Sequence, residues 1–154
     1  MEWYKEPKKL MLVAVPAVGI VSGLAFYYMK KNQRIVTVSA EPAEVALCKP
    51  SGDLTNWYTV TVTITDGFGN PVEEEFTHII YLEGIEKGRE THRTGPDGTW
   101  KMQYCWQATE AEPMHIDTEF RQTVMHTVEC KGAKASTTIT LVIPVCLDLP
   151  CSCE

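Results

Sequence analysis

The sequence predicts a two-layer antiparallel β-sandwich carried behind a single N-terminal hydrophobic helix. Three observations predict it. Leu10–Met29 is a run of twenty residues without a charge. Several later segments alternate apolar and polar residues with a period of two. Clusters of Gly, Asn, Asp and Pro fall between those segments, where a chain must reverse.

The run LMLVAVPAVGIVSGLAFYYM comes first. As a helix it would rise roughly 30 Å, the hydrocarbon thickness of a bilayer. Trp3 and Tyr4 precede it, and Tyr27 and Tyr28 close it, where interfacial aromatic belts sit. A cleaved signal peptide would also show a basic start, an apolar core and a site such as Gly23-Leu24-Ala25. The run is long for such a core, so a retained helix that keeps Met1 is expected. Lys5, Lys8 and Lys9 flank one side, and Lys30, Lys31 and Arg34 the other, so flanking charge sets no orientation. All six cysteines follow the run. They place the C-terminal body on the oxidising side and the N-terminus in the cytoplasm or a virion interior. Gly19 and Gly23 form a GxxxG pattern with Ser22 beside it, and Pro16 lies one turn earlier. Small residues let helix backbones approach closely, so this face is expected to pack on other transmembrane helices or on copies of itself.

The body follows. Tyr58, Val60, Val62 and Ile64 alternate with Thr59, Thr61, Thr63 and Thr65. Trp100, Met102, Tyr104 and Trp106 alternate with Thr99, Lys101, Gln103 and Cys105, and Thr137, Ile139, Leu141 and Ile143 form a third such run. Weaker strands are expected at Ile35–Ala40, Val45–Cys48, Phe76–Leu82 and Thr123–Cys130. Asp66–Pro71 (DGFGNP) and Thr94–Gly98 (TGPDG) supply the turns. Ala108–Thr118 reads as a long loop and Val145–Glu154 as an irregular tail. Some seven short strands with turns between them define a two-sheet sandwich. The resulting division is a flank (1–9), a transmembrane helix (10–29), a basic linker (30–34), the sandwich (35–144) and a cysteine-rich tail (145–154).

Charge narrows the partners. The chain carries a net charge of −6. Residues 1–34 carry six Lys/Arg against two Glu, whereas the remaining residues carry eight against eighteen Asp/Glu, and an acidic body argues against nucleic acid. Cys48, Cys105, Cys130, Cys146, Cys151 and Cys153 are disulfide candidates, and at least one bridge is expected to pin the tail to the body. Strand parity turns Cys105 away from the core. A metal reading gathers Cys146, Cys151 and Cys153 on zinc or an iron–sulfur cluster, but the one-residue spacing of Cys151 and Cys153 is unusual for zinc. His78 and His126 share parity with apolar neighbours and are expected to be partly buried and hydrogen-bonded. Glu73–Glu75 is expected to be a solvated edge. No nucleophile elbow, phosphate loop, dinucleotide fingerprint or paired-histidine motif occurs. No enzyme activity and no cofactor are therefore expected.

The runs YTVTVTITDGFGNPV, TGPDGTWKM and KASTTITLVI resemble bacterial immunoglobulin-like domains of the invasin/intimin type, over about residues 36–143. The resemblance implies an immunoglobulin-like sandwich and an extracellular structural or adhesive role. The chain differs in its single copy, its cysteines and its N-terminal helix. The expected function is a single-pass surface protein in a larger assembly: a cell envelope, a membrane-containing virion or a filament. Its partners would be membrane lipid and other proteins of that assembly. An accessory subunit of a membrane enzyme complex is one alternative, and a metal or redox module on the C-terminal cysteines is another.

Overall fold

The structure, a computed structural model, describes residues 22–48, 53–108, 112–145 and 147–151. A short helix, α1, covers 22–32. It holds the C-terminal part of the expected span, including Ser22 and Gly23. Pro16 and Gly19 lie outside the described residues. Among those residues no helix is long and apolar enough to cross a membrane.

Ten strands follow: β1 (Arg34–Glu41), β2 (Glu44–Ala46), β3 (Trp57–Asp66), β4 (Glu75–Leu82), β5 (Ile85–Arg93), β6 (Thr99–Cys105), β7 (Met114–Ile116), β8 (Phe120–Cys130), β9 (Ala133–Ile143) and β10 (Leu147–Leu149). One sheet has the order β1-β3-β6, the facing sheet β2-β9-β8-β4-β5, and β10 pairs β7 as a small ribbon. The first strand is shared. β1 runs antiparallel to β3 in one sheet, and beyond Pro42 the chain crosses to lie parallel to β9 in the other. Proline offers no N–H to a ladder, which suits it to the point where pairing changes sheet.

The threonine-valine alternation becomes the core. Tyr58, Val60, Val62 and Ile64 are buried on β3 and face Phe76, Val124, Val128, Ile139 and Leu141 of the other sheet. Each such side chain contributes about 1.5–3 kcal/mol of transfer free energy. The intervening threonines are half-buried.

Three expectations are corrected. β5 was not foreseen: its sequence IEKGRETHR has no apolar alternation, because it is an edge strand whose pairing comes from β4 alone. The segment Ala108–Thr118 contains β7, and the tail Val145–Glu154 contains β10; each is stabilised by the other through Met114–Ile116 and Leu147–Leu149. Glu74 is not solvated. Its carboxylate lies 2.8 Å from both Arg34 Nε and Lys131 Nζ.

The strands give the molecule two ends. β3 starts at one end with Trp57 and finishes at the other with Asp66, about 30 Å away at strand rise. α1, the Asp66–Pro71 turn and the Thr94–Gly98 turn share the second end. The two turns pack on each other: Ile64 N–H donates to Gly98 O at 2.8 Å, and Val72 N–H donates to Ile64 O at 3.1 Å. Gly98 has φ +70°, and a Cβ there would stand 2.6 Å from Ile64 O. Only glycine fits that approach.

Candidate functional site

A polar chain crosses the middle of the sandwich. Tyr58 on β3 and Tyr104 on β6 stack, with ring centroids 5.5 Å apart. On the opposite sheet, His78 of β4 and His126 of β8 stack at 5.1 Å. The β4–β8 register pairs His78 with Val128 and Ile80 with His126, so the two imidazoles are diagonal neighbours on the inner face. Tyr58 Oη lies 2.8 Å from His126 Nε2, His126 Nδ1 lies 2.9 Å from His78 Nε2, and His78 Nδ1 lies 3.3 Å from Tyr104 Oη. The two tautomers are coupled, and the chain runs in one of two directions. In one, Tyr58 donates to His126 Nε2, His126 Nδ1–H to His78 Nε2 and His78 Nδ1–H to Tyr104, and the Tyr104 proton points onward; in the other every bond is reversed and the Tyr58 proton points onward.

Burial sets the charge states. Both imidazoles are almost fully inaccessible. Desolvation pushes His78 down to about 4, with His92 lowering it further and Glu90 opposing. Desolvation and the neighbouring His78 push His126 down to about 3. Burial raises both phenols, Tyr104 to about 12 and Tyr58 beyond the usual range. Near neutrality the chain is therefore uncharged throughout, and it ties one sheet to the other by directed bonds that an apolar core lacks.

Beside it, a cleft of about 300 Å³ opens on the seam between edge strands β5 and β6. Tyr58, Ile80, Tyr104 and Trp106 form its walls, and Lys87 and Glu90 stand among its lining residues. Its size is at the lower limit of ligand pockets.

The end away from α1 is cross-linked. Cys48, just after β2, is bonded to Cys151, with Cα atoms 5.7 Å apart across 103 residues of sequence. This is the bridge expected to pin the tail. Antiparallel bonds between Ala108 and Cys151 and the Cys48 N–H to Trp106 O bond support it. Cys105 is also disulfide-bonded and lies outside the hydrophobic core. Cys146 and Cys153 lie outside the described residues. Cys130, expected among the bridged cysteines, is a free, buried thiol. It ends β8 at the α1 end, on the far side of the sandwich from Cys48, Cys105 and Cys151, and burial raises its pKa. The suggested metal set loses Cys151 to its bond with Cys48. Among the described residues no group of three His, Cys, Asp or Glu side chains could hold a metal.

The remaining histidines play other parts. His92 lies against Trp100, centroids 4.4 Å apart, with Nε2 3.1 Å from Glu90. His115 is exposed and meets Asp148 at 2.7 Å across the β7–β10 ribbon. Ser22 and Gly23 are exposed on α1, and the space a Gly23 Cβ would enter is open.

The two sheets, the shared first strand and the interior between them define an immunoglobulin-like β-sandwich. No protein-family model matches the chain, and no curated protein does. Among solved structures it is similar to the CARDB domain of a Pyrococcus furiosus protein in complex with di-metal ions. That likeness has 16% identity and a TM-score of 0.46, covering 71% of this chain and 90% of the other.

Proposed function

We propose that the chain is a non-enzymatic structural protein, anchored by the helix begun in Leu10–Met29, that displays its sandwich outside the cytoplasm within a larger assembly. The assembly is a cell envelope, a membrane-containing virion or a filament, in keeping with the invasin/intimin resemblance. One observation carries this reading: the helix stands at one end of the sandwich and the disulfides at the other. Disulfides persist in oxidising compartments, so the end away from the helix belongs outside. The polar chain supports a structural role as well, since its imidazoles are held neutral and hydrogen-bonded to each other and to phenols.

The test is fractionation of cells or particles that make the full chain. The reading expects the protein to resist alkaline carbonate extraction and its sandwich to be cleaved by protease added from outside. Release by carbonate, or a sandwich protected until membranes are opened, would overturn it. Gly23, open on α1, favours helix–helix contact. Mild solubilisation and sizing separate its two forms. Self-assembly supports the structural subunit, whereas a stoichiometric set of different subunits supports an accessory subunit of a membrane complex.

A further inference from the structure

The joint between α1 and the sandwich is short and closed. One residue, Gln33, separates the helix from β1. The last carbonyls of a helix lack intrahelical partners. Here Gly67 N–H donates to Lys30 O at 2.8 Å, and the Arg34 guanidinium donates to Lys31 O at 2.9 Å while also pairing with Glu74. A Cβ on Gly67 would stand 2.6 Å from Lys30 O, so a side chain there forces the helix and turn apart. The Asp66 carboxylate accepts from Phe68 N–H, Asn70 N–H and the Asn70 amide at 2.9–3.0 Å, which fixes the turn itself.

This joint holds one exposed aromatic, Phe68, at a set height on the helix. Its ring lies 5.6 Å from that of Tyr27, and both are about half exposed. Phe26 and Tyr28 are exposed beside them. Lys30 and Lys31 extend near the Phe26 and Tyr27 rings, at 6.0 and 5.8 Å from the centroids. Tyr27 and Tyr28 close the uncharged run, at the level where aromatic belts meet headgroups, and lysines just beyond them match lipid phosphates in charge and position.

We propose that the Asp66–Pro71 turn docks on the lipid surface, with Phe68 as an interfacial anchor beside Tyr27, so that the sandwich stands on the membrane in a fixed orientation and does not swing on a tether. The occupant of this patch is a bilayer interface, because the patch is continuous with the uncharged run and has Lys30 and Lys31 beside its rings. The inference rests on the membrane-anchored reading. The test uses the full chain in phosphatidylcholine vesicles containing some phosphatidylglycerol, with bromine on the upper acyl carbons. Phe68→Trp and Tyr28→Trp are compared with the parent, whose own tryptophans are common to all three. Both positions are exposed, so folding is not at stake. Docking predicts that the added emission of each variant is lost in bromolipid vesicles and kept in bromine-free ones. Quenching at position 28 but not 68 would overturn the docking and leave the anchor standing. Quenching at neither would overturn the anchor, and the docking with it. Gly67→Val combined with Phe68→Trp is expected to restore emission at 68. Persistent quenching there would overturn the fixed joint.

Discussion

The two ends of the sandwich are held by different means. At the α1 end the chain is closed without covalent links, by bonds inside the turns and by a few bonds between them and neighbouring strands. The Asp66 and Asp97 carboxylates hold their own turns, Gly98 presses on β3, and Arg34 and Lys131 share Glu74. At the other end the closures are long-range and one is covalent: the Cys48–Cys151 bond joins segments 103 residues apart, and the β7–β10 ribbon brings Ile116 and Leu147 together in the core. Between them, the Tyr58–His126–His78–Tyr104 chain ties sheet to sheet. Turn chemistry is sufficient where consecutive strands meet. Where the ends of β2, β6 and β10 converge, no local sequence signal can hold them, and a cross-link does.

The comparison can be broken at its strongest point. Replacing Cys48 and Cys151 together by Ala should cost about 4–5 kcal/mol, the chain-entropy value for so long a loop. Urea unfolding of the full chain in detergent should show this as a lowered midpoint, with the α1-end turns still protected in hydrogen exchange. Equal loss of protection at both ends would erase the distinction.

Acid should act on the middle. The folded state holds His78 and His126 neutral, whereas in the unfolded chain they take up protons below about 6.5. The unfolded state therefore binds more protons as pH falls. Stability is full above that pH and declines toward pH 4.5, by about 2 kcal/mol for each imidazole. Unfolding midpoints at pH 7.0, 5.5 and 4.5 give the slope, and a flat profile would mean that the imidazoles are not held neutral.

Gly98→Ala, at the α1 end, places a Cβ against Ile64 O in a left-handed conformation and should cost at least about 1–2 kcal/mol. Gly69→Ala, at φ +87° but with no neighbour within 4 Å, should cost less. Equal effects would show that close packing of the two turns adds nothing. Smallest, Tyr58→Phe removes one bonded hydroxyl and leaves His126 Nε2 unsatisfied, for about 1 kcal/mol. The pH slope between 6.5 and 4.5 should shift in this variant, which a packing defect alone would not cause.

Legibility in the sequence follows the same division. β3, β6 and β9 announce themselves by alternation, and the DGFGNP and TGPDG turns by residues that bond their own backbone. These are local signals, and they describe the α1 end. β5 is invisible because an edge strand faces water along most of its length. β7 and β10 are invisible because three residues carry no periodicity. The pairing of His78 with His126 depends on the register of β4 against β8, which parity alone cannot give. Parity marked both histidines as inward, and that signal would have been stronger had Tyr58 and Tyr104 been read as their partners. The free state of Cys130 has the same origin: its distance from Cys48, Cys105 and Cys151 is a property of strand direction, not of spacing in the chain.

The polarity of the molecule is tested most directly by disulfide mapping of the carbonate-resistant membrane fraction, alkylated without prior reduction. The account predicts a peptide containing Cys48 joined to one containing Cys151, with Cys130 recovered as an unbridged thiol once the protein is unfolded. Recovery of Cys48 and Cys151 as alkylated thiols, or of both in a carbonate-soluble fraction, would contradict it.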